Sequence, residues 1–540
     1  MTVSEDVSED VEDNTGQSAQ RQVWRAASLL SAAFIASRVL GLVRDAVIGY
    51  YFGATSLEAN AYRIATRIPE TIFFIIAGGA LGSAFIPTFA AYFAREDSKG
   101  AWHLFSAVVN LVLIILSLLS ALMALFARPF LLLYLPEMAA QPELLALTTD
   151  LLRILLISTV IFGASGVFMG ALNARQHFLL PALAPIVYNL GIIGGAILAG
   201  ETSLFADNAV IGLGWGTVAG AAGHLFIQLP GLRRQGVAYR PVITLSHPGV
   251  RQVLRLMAPR VLGLSFSQIN NLIIPALAGS LLVVAPLDYA WKIVLMPQSI
   301  LGQALGIAAF PTFATLAARM ELPEMRRILA DTLRLIIFLG LPATILLMVL
   351  SGPIVQLAFQ RGAFSAEDTV VTAWALLFYA PGLVALAGLE VVSRAFYALE
   401  DTVTPVLAGA LQLGLMALLA LAFSRLLFPT LGWAALGGLA LGVSLSNLLE
   451  TGFLLWLLRR KMHGIGGRRL WQGLWRMLLA SLLMLAISWL ALEQLQNASL
   501  LWKLLLCGSL GGAAYGVASW LLQLDELGQI MGLLRRRIPL

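Results

Sequence analysis

Seven ionisable side chains stand inside stretches that are otherwise apolar: Arg38, Arg44 and Asp45, then Arg63 and Arg67, and further along Arg260 and Lys292. A charge at the centre of a hydrocarbon layer costs at least a few kcal/mol, so it faces a cavity, finds a partner or reaches for the interface. Arginine's planar fork holds phosphate through two parallel hydrogen bonds, and lysine adds a point charge. Arg38, Arg44, Arg67 and Lys292 come from the helices that open each half of the chain, and they outnumber the acids beside them. Together with Asp45 and Arg260 they form the candidate binding set for an anion, most simply a phosphate. Arg38 and Arg44 are six residues apart, about 120° around a helix, so they need not share a face. Asp45 is placed to pair with either. Internal salt bridges and carbonyl contacts are the competing use of these charges. Arg63, near a span end, reads as a side chain that snorkels to the interface. Asn60, Gln268, Asn270, Asn271 and Asp288 add polar atoms to the same helices, and such residues commonly hydrogen-bond helix to helix.

No catalytic constellation accompanies these charges. His103, His177, His224, His247 and His463 are scattered without metal-ligand spacing, so no metal and no cofactor is expected. The adjacent pairs Glu96-Asp97, Glu367-Asp368 and Glu400-Asp401 lack a supporting motif for a membrane-embedded enzyme. Gly78-Gly79 and Gly194-Gly195 lie in apolar runs, where glycine permits close helix packing and makes no nucleotide loop. Cys507 is the single cysteine and sits in an apolar run, so no disulfide forms within the chain.

The elements that must position these residues are apolar helices. The 540-residue chain is 59% hydrophobic and 12% charged, with mean hydropathy +0.85, whereas soluble chains carry roughly 25% charged residues. Runs long enough to cross a membrane are expected at 28–52, 59–93, 102–127, 147–172, 178–200, 207–230 and 249–282. In the second half they fall at 285–317, 331–351, 368–398, 402–427, 432–458, 471–492 and 500–523. The expected fold is therefore an all-α integral membrane protein of about fourteen spans, kinked at Pro69, Pro87, Pro297 and Pro311. Net charge +6 reflects basic loops, among them Arg95, Arg175, Arg233, Arg319 and Arg459. Their alternation along the chain is the positive-inside pattern and argues against nucleic acid. It puts both termini in the cytoplasm. Residues 1–25 read as a disordered acidic tail, and the segment 459–476, with Trp471 and Trp475, as an anchor on anionic lipid.

The chain also resembles itself. Arg38-Val39-Leu40-Gly41-Leu42 recurs as Arg260-Val261-Leu262-Gly263-Leu264, and Pro87-Thr88-Phe89-Ala90 as Pro311-Thr312-Phe313-Ala314. Arg95 answers to Arg319 and Pro181 to Pro405, all at an offset near 224. A repeat that follows an even number of spans gives parallel halves, an arrangement that transporters use to place substrate between the repeats and expose it to each side in turn. The expected organisation is an N-terminal lobe at 26–232, a cytoplasmic linker at 233–248, a C-terminal lobe at 249–460, two additional spans at 461–524 and a basic tail at 525–540.

Ser37-Arg38-Val39-Leu40-Gly41-Leu42-Val43-Arg44-Asp45-Ala46, followed by Phe52-Gly53-Ala54 and Ala84-Phe85-Ile86-Pro87, resembles the opening of the MurJ (MviN) family. So does Phe396-Tyr397-Ala398 through Asp401-Thr402 to Thr404-Pro405. The resemblance implies a two-lobed, MATE-like alternating-access fold of the multidrug, oligosaccharidyl-lipid and polysaccharide exporter superfamily. It implies a lipid II flippase of the bacterial cytoplasmic membrane, a transporter and not an enzyme. Its partners would be lipid II, membrane lipids, a coupling ion and cell-wall synthesis or division proteins. By the same resemblance Arg38 and Arg44 are first-helix arginines that bind the lipid's pyrophosphate, Lys292 answers to an arginine of the second lobe, and Arg67 stands where the family has Lys before Leu-Pro. The chain departs from the family at Phe73-Phe74, which replace a pair of arginines, and at Ala77-Gly78-Gly79-Ala80 in place of Ala-Glu-Gly-Ala. The alternatives are an exporter of another lipid-linked glycan, of O-antigen or teichoic type, a drug exporter with an acidic, aromatic cavity, and a membrane-embedded glycosyltransferase.

Overall fold

A computed structural model describes residues 36–75, 81–205, 208–278, 280–465 and 467–528. The expected acidic tail at 1–25, Gly78-Gly79 and most of the basic tail lie outside the described residues. Every regular element among the described residues is a helix, as a chain in hydrocarbon requires when each backbone polar group must be satisfied within its own segment.

Contacts divide the chain into two units, one comprising the residues up to Phe52 with Leu57–Gln268, the other Gly53–Ser56 with Ile269–Leu540. The first unit holds α1 (36–52), α2 (Leu57–Phe73), α3 (Gly82–Ala94), α4 (Ser98–Leu125), α5 (Ala127–Tyr134), α6 (Pro142–Ala174), α7 (Leu179–Glu201), α8 (Ala209–Phe226), α9 (Leu229–Arg234) and most of α10 (Pro248–Leu277). The post of this unit is α6, 33 residues long, against which α2, α3, α4 and α8 all pack. Helices α7 and α8 cross through glycine: a Cβ on Gly195 would run into the backbone of Gly216, and one on Gly191 into that of Gly220. Gly194, by contrast, faces open space. Four-residue glycine spacing on both helices is what permits this approach.

The second unit holds α11 (Val284–Gln298), α12 (Leu305–Ala318), α13 (Leu322–Val349), α14 (Ser351–Phe359), α15 (Ala366–Tyr379), α16 (Leu383–Ala398), α17 (Val403–Ala422), α18 (Phe428–Thr430), α19 (Ala435–Lys461), α20 (Gly467–Gln494) and α21 (Leu500–Leu521). Helix α13 carries α20, and the buried Arg334 of α13 binds Glu526 and, at 3.2 Å, Asp525. Tyr515 of α21 donates to the Phe338 carbonyl oxygen at 2.9 Å. Asp368 caps α15 through Ser365 and also accepts from Thr55 N and Oγ1 at 2.8 and 2.6 Å. The Glu367-Asp368 pair thus does structural work.

Among the described residues, eleven helices are long and apolar enough to cross a membrane. The three remaining expected spans, 28–52, 59–93 and 249–282, carry the arginines discussed above and coincide with α1, with α2 and α3, and with α10. Equivalent backbone features recur at the offset of the sequence repeat. Glu96 and Gln176 leave α3 and α6 in the left-handed conformation at φ 60° and 59°, and Met320 and Glu400, each 224 residues later, leave α12 and α16 at φ 59°. A π-helical stretch at Ser299–Ala304 answers to π-helical residues 74–75 and 81. Pro87 and Pro311 lie inside α3 and α12.

Candidate functional site

The charges of α1 and α2 meet inside the first unit. Asp45 is 2% exposed, and one of its oxygens, Oδ1, accepts from Arg44 Nη2 at 3.1 Å and from Arg63 Nη2 at 3.0 Å. Arg44 Nε also approaches that oxygen, at 3.3 Å. On its other side Arg44 Nη1 donates to Asn189 Oδ1 of α7 at 3.1 Å. One turn along the wall, the Tyr62 and Thr217 hydroxyls are hydrogen-bonded at 2.9 Å, joining α2 to α8. Two guanidiniums therefore share one carboxylate, and the cluster keeps an excess positive charge. Charge-assisted bonds of this kind fix geometry as well as adding energy.

Arg63 corrects the expectation of a snorkelling side chain. It is 6% exposed, because its guanidinium finds Asp45 across the helix pair and has no need to reach the interface. Asn189 was not among the candidates either, although a lone amide in the apolar α7 marks it in the sequence. The other candidates are spread out. Arg38 is exposed on α1, Arg67 is half-buried one turn beyond Arg63, and Arg260 is exposed on α10. In the second unit Lys292 pairs with Asp288, one turn earlier on α11, at 3.0 Å. The structure thus brings together Arg44 and Asp45, with Arg63, and gives Lys292 its own local partner.

Beside the cluster, α2, α6, α7 and α8 enclose a cavity of about 570 Å³ whose lining includes Thr66, Glu70, Tyr188, Thr217 and His224. Phe73 and Phe74 belong to the same lining. Phe162 continues this wall with ring centroids 4.9 Å from Phe73, 4.9 Å from Tyr188 and 5.3 Å from His224. His224 itself is buried and bonded through Nδ1 to the Ser165 hydroxyl at 2.7 Å. Its role is packing. No group of His, Cys, Asp and Glu able to hold a metal occurs among the described residues.

The family model described as "Lipid II flippase MurJ" matches residues 48–508. The chain belongs to the MurJ family. A probable lipid II flippase MurJ of Buchnera aphidicola subsp. Acyrthosiphon pisum is 30% identical over 438 residues, covering 80% of this chain and 82% of that protein. The fold matches a structure of lipid II flippase MurJ in an inward closed conformation, with TM-score 0.74 and 24% identity over 92% of this chain and 99% of that one. An inward-facing multidrug resistance MATE family transporter of the MOP superfamily matches with TM-score 0.67 and 14% identity, over 79% and 94% of the two chains. The molecule is a multi-pass membrane protein of MATE-like fold. Arg38, Arg44 and Asp45 precede the segment matched by the MurJ model; Arg44 and Asp45 are joined by their ion pair here, while Arg38 is exposed on α1.

Proposed function

We propose that this chain is a lipid II flippase, a transporter that carries the undecaprenyl-pyrophosphate-linked peptidoglycan precursor from the inner to the outer leaflet of a bacterial cytoplasmic membrane. Membership of the MurJ family supports the substrate. The observation that carries the mechanism is the Asp45 oxygen shared by Arg44 and Arg63 at 3.1 and 3.0 Å. Asp45 and Asn189 hold the Arg44 guanidinium in one orientation, so a pyrophosphate meets a fork already in place. Arg38, on the same helix, and Arg67, on the next, extend the cationic surface, with Arg260 of α10 in the same unit; Lys292 lies in the other unit, where it pairs with Asp288. No bond is made or broken. Alternating access, driven by an ion gradient or the membrane potential, completes the cycle in this reading, with both termini cytoplasmic and residues 26–232 and 249–460 acting as the two lobes.

The aromatic wall with Glu70 is a lining that a drug exporter would also show. The family and the arginine cluster favour the lipid-linked substrate, and we read the wall as a stacking face for its sugars. Cells depleted of their own flippase test this directly. Expression of this chain restores growth, Arg44→Ala abolishes rescue at equal membrane abundance, and Arg44→Lys retains part of it. Undiminished rescue by both Arg38→Ala and Arg44→Ala would sink the phosphate role of the first helix.

A further inference from the structure

The turns of the first unit enclose a second hollow, distant in sequence from the arginine cluster and different in character. Its volume is about 490 Å³, and Lys99, Arg175 and Arg240 line it together with His103 and a single acid, Glu96. Three separate segments supply the cations: the start of α4, the turn after α6 and the chain that follows α9. The Arg175 guanidinium lies over the Phe93 ring at 4.3 Å and spends its Nε on Gln235 Oε1 at 3.0 Å, which leaves both terminal amino groups to donate elsewhere. The side chains of Lys99 and Arg240 make no ion pair or hydrogen bond among the described residues. Arg240 is nonetheless held in place through its backbone, its N–H donating to Ser106 Oγ at 3.0 Å and its carbonyl accepting from Asn110.

The equivalent turn of the second unit carries an ion pair instead. There Asp401 accepts from Lys461 Nζ at 2.7 Å and from Thr404. The position 224 residues before Asp401 is His177 and that before Lys461 is Val237, so this ion pair has no counterpart in the first unit. Lys99, Arg175 and Arg240 in turn answer to the uncharged Pro323, Leu399 and Gly464, and the basic hollow is peculiar to the first unit. Like charges kept together cost free energy unless a counter-charge joins them, and a basic pocket between spans at the membrane surface is a recurrent headgroup site. We propose that this hollow binds a phosphoryl anion, with Lys99 and Arg240 closing on its oxygens and Arg175 presenting its two terminal amino groups. The ligand is a phosphodiester headgroup of an anionic phospholipid or a soluble phosphate ester. The site is independent of the proposed transport site.

The test uses the full chain in detergent micelles and two probes, short-chain phosphatidylglycerol and glycerophosphate, with short-chain phosphatidylcholine as the zwitterionic reference. Thermal unfolding is followed against probe concentration for wild type, Lys99→Gln/Arg240→Gln and the control Lys461→Gln. Both exchanged side chains of the double variant are exposed and make no hydrogen bond or ion pair among the described residues, so the variant folds. We expect saturable stabilisation of wild type and of Lys461→Gln, with the apparent Kd at least about tenfold weaker in the double variant, as loss of two charge-assisted bonds requires. A response to phosphatidylglycerol alone identifies the lipid headgroup, and an equal response to glycerophosphate identifies a soluble phosphate. Equal affinity of wild type and double variant for both probes, or no response to either, overturns the proposal.

Discussion

At the residue scale, Asp45 decides whether two buried arginines are an asset or a liability. Its removal leaves Arg44 and Arg63 facing each other with reduced compensation, and breaking a buried ion pair by deleting one partner costs about 3–5 kcal/mol. Asp45→Asn should therefore lower the unfolding midpoint of the purified protein sharply, whereas Arg38→Ala, at an exposed position, leaves it nearly unchanged. A second residue-scale prediction concerns His247, whose ring stacks on His103 at 5.1 Å. Partial burial, with His103 adding to it and Asp97 opposing, holds its pKa below the ordinary value. The unfolded chain then takes up the proton first, near pH 6.5, so the stability this group confers is complete above about that pH and declines as pH falls through it. Midpoints measured between about pH 7.5 and 5.5 should fall less steeply in His247→Phe than in wild type. The sequence showed that Arg44 and Asp45 were special and left their partners open. Arg63 and Asn189 became visible only when α2 and α7 were placed beside α1, since a partner's depth is a tertiary fact.

At the scale of elements, the α7–α8 crossing depends on the absence of side chains where the two backbones meet. Gly195→Val must push Gly216 away and should destabilise by about 1–3 kcal/mol through overpacking, read as a lower unfolding midpoint and lower yield of folded protein. Gly194→Val points into open space and should shift the midpoint by no more than about 0.5 kcal/mol. Both glycines look alike in the sequence, where the pair reads only as a packing signal. Which one is indispensable depends on the rotation of α7 against α8. The helices themselves were legible, because an apolar run of span length has one stable backbone form in hydrocarbon. The breaks within the runs 285–317 and 368–398 were less so, since Pro297 announces a disturbance without saying that a π-helical stretch at Ser299–Ala304 follows.

For the whole molecule, the internal repeat read from a handful of Arg and Pro matches proves to extend to the backbone, as the paired left-handed residues Glu96 and Met320, Gln176 and Glu400 show. Neither matched pair shares a residue type, Glu96 answering to Met320 and Gln176 to Glu400, so no sequence comparison reveals them. Side chains fasten the C-terminal end of the described chain to its own unit: Tyr515 of α21 to the Phe338 carbonyl, and Glu526 and Asp525, just past α21, to Arg334. Glu526→Ala should strand Arg334 and cost about 3–5 kcal/mol. The double variant Arg334→Met/Glu526→Met should recover most of that loss in the same unfolding measurement, because a buried ion pair replaced by apolar side chains is often neutral. A midpoint in Glu526→Ala equal to that of wild type would show that the pair is ornamental.

The matched π-helical turns have a mechanical meaning. A π turn holds one residue more than the α lattice around it, as a dislocation holds an extra half-plane in a crystal. Such a defect glides: each step exchanges one wide hydrogen bond for one of ordinary span and turns the segment it passes by about 100°. Each half of the molecule carries this defect in the stretch that leads into its proline-containing helix, α3 or α12. Residues 74–75 and 81 in the first half and Ser299–Ala304 in the second thus mark the places where re-indexing by a single residue would cost the least hydrogen bonding.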